Sequence, residues 1–282
     1  MHIRLLAPLA AGLLLPNLAA ADVATPFSRN CAHEARRDLQ LDFSGIRTLV
    51  VDVGPHTVHV EGGGNGAVEA RACASREGDL EGLRLLQERD GDRLILRATR
   101  DEGRTVIRLF GSSYAFLDVR ARVPAEVEVD LRVGSGDAAL RGVAAARATV
   151  GSGDALVETI PGTLGATVGS GDLEIRDVGR LDIGAIGSGD VVATGVRGDA
   201  RIGSVGSGDA TVREVTGSVE VGSIGSGDVT LRGIGGDVSV GNIGSGDLRV
   251  DGVRGGLEVR NVGSGDIEHR DVAGQVELPR RR

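Results

Sequence analysis

The chain has 282 residues, a formal net charge of −8 with a pI near 5.2, 46 glycines, 2% aromatic residues and no tryptophan. Such a length allows one large or two modest domains, and the acidity argues against a nucleic-acid or anionic-membrane partner. Too few rings are present for a thick aromatic core, which leaves a thin, aliphatic, repetitive interior of the solenoid or sandwich kind.

The first 21 residues have the pattern of an export signal. His2 and Arg4 make a weakly basic start, Leu5 to Leu18 is mostly apolar, and Ala19 and Ala21 form an A-x-A site before Asp22. Pro8 and Pro16 interrupt the run, and it is too short to anchor in a bilayer. Segment 1–21 is therefore expected to be a signal peptide. The mature chain, with no transmembrane anchor, should be exported to the periplasm, the cell surface or the medium.

Residues 24–42 are polar and unpatterned, and a β region follows. Thr48 to Val53 and Thr57 to Glu61 are predicted strands around a Gly54-Pro55 turn, followed by Ala67 to Ala72, Leu83 to Glu88, Leu94 to Ala98, Val106 to Phe110 and Leu117 to Val123. Asp90-Gly91 marks a hairpin between the strands on either side of it. Arg93 to Arg97 and Asp118 to Val123 alternate apolar and charged residues, the period of a sheet with one wet face. Residues 22–123 thus read as a β-rich cap or small sandwich. In an exported chain the only two cysteines, Cys31 and Cys73, are expected to form a disulfide that ties the unpatterned start onto the first strands.

After Pro124 the chain repeats itself. GSGD begins at Gly134, Gly151, Gly169, Gly187, Gly206, Gly225, Gly244 and Gly263, at spacings of 17, 18, 18, 19, 19, 19 and 19 residues. The sixth unit shows the grammar. Val229 and Leu231 alternate with Thr230 and Arg232, Ile234 precedes a Gly235-Gly236 corner, and Val238, Val240 and Ile243 follow. Each unit should hold two short strands whose apolar residues face one interior, with corner glycines supplying positive φ angles. One such coil cannot bury enough surface to fold by itself, so stability must come from stacking neighbours about 4.8 Å apart. The fold class is all-β, with residues 124–282 a parallel β-solenoid of about eight coils. Its last coil carries His269 where others have an aliphatic residue, then Pro279 and three terminal arginines, which blunts the edge.

Stacking would align Asp137, Asp154, Asp172, Asp190, Asp209, Asp228, Asp247 and Asp266 in one row along the rod. Neighbouring carboxylates at that spacing repel by nearly ~1 kcal/mol even in water, so the row needs donors or cations. The local answer is hydrogen bonding from turn N–H groups. The sharper one makes the eight aspartates calcium ligands between coils, although calcium β-rolls repeat every nine residues and the second corner here carries Asp only erratically. The position four after each Asp reads Arg141, Glu158, Arg176, Thr194, Arg213, Arg232, Asp251 and Arg270, an outward row that is solvated or binds acidic glycans. Arg197-Gly198-Asp199, a tripeptide known from integrin ligands, falls in the register of a second corner, which explains it. No outward row has the continuous Thr of an ice-binding face. His56 and His59 should point to opposite faces of one strand, which makes a zinc site improbable. Coils this uniform offer no cleft for a glycan-cleaving enzyme.

With its GSGD repeats, the lead-in Val119-Arg120-Ala121-Arg122-Val123-Pro124 and the signal, the chain resembles the bacterial β-strand-repeat putative-adhesin family, a domain of unknown function, from about Ile46 to the C-terminus. The resemblance implies a right-handed parallel β-helix on the cell envelope and brings no catalytic residues with it. The function expected is that of a non-enzymatic envelope scaffold or adhesin-like interaction module for a protein or polysaccharide, without cofactor. The alternatives are a calcium-dependent β-roll that folds after export and a glycan-binding or glycan-active β-helix.

Overall fold

The computed structural model describes residues 31–101 and 113–280. The signal-like segment 1–21, the predicted strand Val106 to Phe110 and the last two arginines lie outside the described residues.

From Glu128 onward each repeat gives one strand to each of two parallel sheets. The first sheet holds Glu128–Val133, Ala145–Val150, Ala200–Val205, Val219–Ile224, Val238–Ile243 and Leu257–Val262. The second holds Asp137–Arg141, Val191–Val196, Ala210–Val215, Val229–Ile234, Leu248–Val253 and Ile267–Val272. Between them, Ala155–Val168 and Leu173–Ile186 run through the corner and belong to both. In the long coils the register is constant: Ala210, Val229 and Leu248 are successive partners, as are Val219, Val238 and Leu257. This is a β-solenoid of about eight turns whose coils are about 19 residues apart.

The six aliphatics of a coil form the interior. Val229, Leu231, Ile234, Val238, Val240 and Ile243 are all 3% exposed or less. The spacing of two carries Val229 and Leu231 inward, but Ile234 lies three further on and needs an extra residue to turn it in. That residue has positive φ in coil after coil: Thr159 (58°), Asp177 (54°), Gly195 (79°), Glu214 (58°), Gly233 (69°), Gly252 (72°) and Asp271 (52°). The left-handed residue is thus a bulge inside the second sheet, and the corner glycines expected to supply positive φ do not.

The corner glycines answer to close approach instead. A Cβ on the second glycine of each GSGD would lie 1.7–1.9 Å from a carbonyl oxygen of the preceding coil, as for Gly208 against Gly189 (1.9 Å) and Gly227 against Gly208 (1.8 Å). The backbone fits there only without a side chain. Corner N–H groups are satisfied by the coil before: those of Ser226 and Gly227 both donate to the Gly206 carbonyl, at 2.8 and 3.0 Å.

The N-terminal region continues the same two sheets, out of chain order. Thr48–Gly54 pairs in parallel with Glu128–Val133 on one side and Arg93–Arg100 on the other, and Thr57–Gly62 lies likewise between Asp137–Arg141 and Ala115–Val123. Gly54-Pro55 is accordingly a solenoid corner between two sheets. Antiparallel strands then close this end. Leu83–Asp90 forms the expected hairpin with Arg93–Arg100, with Gly91 at φ 61°. Ala67–Ala74 runs against Ala115–Val123 and carries His33–Arg36 and Leu39–Gln40 on its far edge. A disulfide joins Cys31 to Cys73 with their Cα atoms 5.5 Å apart, so the start of the described chain is fixed to that strand. At the opposite end, Ile267–Val272 and Val276–Glu277 pair on one side only and expose most of their side chains.

Candidate functional site

The aspartate row lies along the GSGD corner. Six of the eight carboxylates bond the next coil: Oδ1 of Asp154, Asp172, Asp190, Asp209, Asp228 and Asp247 accepts the backbone N–H of the following aspartate in the row, at 3.3, 3.0, 2.9, 2.8, 2.9 and 2.9 Å. The Asp carbonyls also receive a coil-to-coil bond, as from Ala210 N–H to Asp228 at 2.9 Å. Asp137 sits at the first GSGD corner, opposite Thr57, and Thr57 is opposite Asp118, so the row reaches into the N-terminal coils. There the buried Asp118 meets Arg71 at 3.1 Å.

Arg249 lies across the other half of the row, 3.1 Å from Asp228 and 3.2 Å from Asp247. The Asp247 N–H first, and Arg249 second, hold the Asp228 carboxyl below the ordinary carboxylate range. The repulsion expected of the row is thus met by fixed N–H dipoles and one guanidinium. Among the described residues, no three His, Cys, Asp or Glu side chains converge as a metal cage would require.

The two histidines expected on one strand are placed differently: His56 lies in the corner before Thr57–Gly62, and His59 lies within that strand. His56 is 1% exposed, with Nδ1 accepting the Leu117 N–H at 3.2 Å and Nε2 without a hydrogen bond. Burial, with the nearby Arg100 charge second, pulls its pKa down to about 4. His59 is half-buried on the outward side, its pKa lowered by burial and then by Arg120. In the outward arginine row, Arg141 meets Glu61 at 2.8 Å and Arg176 meets Glu174 at 2.6 Å. The Arg197-Gly198-Asp199 side chains are committed within the rod, Arg197 to Asp177 and Asp199 to Arg180, both at 2.9 Å.

A concavity that sequence reasoning missed opens on the first sheet, where the N-terminal coils meet the first GSGD coil. This shallow basin is lined by Asp52, Arg93, Asp130, Arg132, Arg147 and Thr149. Asp130 is 7% exposed and its Oδ2 accepts from Arg132 Nη2 at 2.8 Å and Arg93 Nη2 at 3.4 Å. Arg97 Nε donates to Asp52 at 3.2 Å. Arg147 stands directly across from Asp130 in the next strand, yet among the described residues it has no partner. Four chain segments build the cluster. Its sequence signal is charge at alternate positions, in Asp130-Leu131-Arg132 as in Arg93 to Arg97, which the period-2 pattern assigns to the outer face.

No curated protein matches the chain. Solved structures that it resembles are described as a putative lipid binding protein from Parabacteroides distasonis (14% identity, 88% of this chain and 98% of that one, TM-score 0.44) and a putative adhesin from Parabacteroides merdae (11%, 85% and 97%, 0.44). Another is a putative cell adhesion protein from Clostridium sporogenes (11%, 86% and 99%, 0.27). A family model, the putative auto-transporter adhesin, head GIN domain, matches residues 84–233. That span covers more than half of the sequence and includes six of the GSGD corners. The chain belongs to this adhesin head-domain family.

Proposed function

We propose that this protein is a non-enzymatic scaffold or adhesin-like interaction module of the bacterial cell envelope, which holds a protein or polysaccharide along the outward side of its solenoid. In this reading segment 1–21 directs export and is removed, residues 22–123 close one end, and residues 124–282 form the binding rod. The observation that carries it is the coil-to-coil register. Outward side chains recur in columns, such as Ser204 with Ser223, Asn242 and Asn261, so a long partner meets similar groups at each step of that column. Family membership agrees with this reading. The aspartates serve as staples between coils in it, and no cofactor takes part.

The test is retention of the purified protein on defined envelope polymers, peptidoglycan, lipopolysaccharide and capsular polysaccharides, with the polymer's length measured before and after. Retention with unchanged polymer is expected. A shortened polymer would make the protein an enzyme, and no retention on any of them would remove the polysaccharide half of the reading. Protein recovered from outside the cytoplasm should begin at Asp22; an N-terminus at Met1 would contradict export by a cleaved signal.

A further inference from the structure

The basin around Asp130 gathers guanidinium groups around two carboxylates. Two of its guanidinium groups, on Arg93 and Arg132, are held in place by one buried carboxylate, Asp130, both through its Oδ2. The other carboxylate, Asp52, is engaged by Arg97. Four arginines therefore meet two acids, a surplus of two positive charges, and the exposed Arg147 beside the Thr149 hydroxyl has no partner among the described residues. Charge imbalance of this kind, with guanidinium groups oriented in advance, favours a carboxylate or sulfate over water.

We infer that this basin binds one acidic sugar of a linear polyuronate, with Arg147 and Arg132 on its carboxylate. The inference rests on the interaction-module reading above and adds a partner class and a site to it. The surroundings select a polymer of sugars. From Thr149 a line of strand partners runs along the rod through Thr167, Ala185, Ser204, Ser223 and Asn242, one per coil. Small hydroxyl and amide groups at about 4.8 Å intervals, interrupted only at Ala185 in this line, suit sugar hydroxyls laid along the axis, and linear polyuronates carry one charge per sugar at a comparable rise. A lipid surface fits less well, because none of the exposed large hydrophobic residues, Leu86, Tyr114, Val192, Val276 and Leu278, lines the basin.

The experiment is affinity electrophoresis of the whole protein through gels containing polygalacturonate, neutral dextran or no polymer, with flotation on phosphatidylglycerol vesicles run beside it. Wild type should be retarded by polygalacturonate alone, less so as salt rises. Arg147→Glu should weaken that retardation by about tenfold or more, with its melting temperature unchanged. Arg254→Ala, which removes an equally exposed arginine far from the basin, should leave it intact. No retardation of wild type by polygalacturonate overturns the inference, as does co-flotation with vesicles in its place. Equal retardation of wild type and Arg147→Glu overturns the site while leaving the interaction-module reading standing. That parent reading fails separately, in the retention test on envelope polymers.

Discussion

Asp209 and Asp228, nineteen residues apart in the chain, are joined by a hydrogen bond of 2.8 Å from the Asp228 backbone N–H to the Asp209 Oδ1. The same bond recurs at six successive steps along the row. A repeated carboxylate that could serve as a metal ligand is thereby also a backbone staple, and the two roles differ in what they require of the side chain. A staple needs one acceptor oxygen, whereas a calcium ligand needs negative charge.

Replacing Asp209 should separate them. Asp209→Asn keeps an acceptor and relieves like-charge repulsion, so its stability should stay within about 0.5 kcal/mol of wild type. Asp209→Ala leaves the Asp228 N–H without its partner and should cost about 1 kcal/mol. Urea denaturation of the two variants measures the difference, and equal losses would contradict the staple.

The GSGD corner should be intolerant at its second glycine. In Gly208→Ala the new Cβ would lie 1.9 Å from the Gly189 carbonyl oxygen, and no flexible side chain is there to move aside. The coils must separate locally, at a cost of about 3 kcal/mol or more. Arg213→Ala, an outward change in the following strand, should stay within about 0.5 kcal/mol. Thermal melts of both variants provide the comparison.

Thr159 and Glu214 occupy left-handed bulge positions that other coils fill with Gly195, Gly233 and Gly252. A side chain in that region costs about 1–2 kcal/mol, partly offset by the extra freedom glycine has when unfolded. Thr159→Gly and Glu214→Gly should each stabilise the protein by about 0.5–1 kcal/mol, and Gly233→Ala should destabilise it. Denaturant midpoints would show the opposite signs.

Burial of His56 ties stability to pH. Its folded pKa, about 4, lies below the ordinary 6.5, so the unfolded chain takes up a proton that the folded one refuses. The contribution is fully present above pH 6.5 and is lost as pH falls toward 4, by up to about 3 kcal/mol. His56→Gln should flatten that slope even if it lowers stability at neutral pH. An unchanged slope between pH 7 and 4.5 would place the acid sensitivity elsewhere.

The repeats were legible because one coil states its own rule. Val229, Leu231, Ile234, Val238, Val240 and Ile243 announce themselves by spacing, and all six are buried. What the spacing hides is backbone geometry: a positive φ at Glu214 or Asp177 has no glycine to mark it, and glycines chosen for close stacking look the same as glycines chosen for φ. His33–Arg36 and Leu39–Gln40, in the stretch read as unpatterned, were missed; the described strands from Thr48 onward were found but not their order. Thr48–Gly54 lies between Arg93–Arg100 and Glu128–Val133, and hydrophobic alternation carries no record of which distant strand is a neighbour. The basin was invisible for the same reason, since Asp52, Arg93, Asp130 and Arg147 meet only through that pairing.

The central claim is that stacking between coils, with the aspartates as staples, holds the solenoid together. Circular dichroism melting of the protein in chelator and then in millimolar calcium tests it most directly. The account predicts the same cooperative, β-rich melt with the same midpoint in both. Folding only with calcium, or a large rise in midpoint on adding it, would contradict the account and make ligands of the aspartates from Asp137 to Asp266.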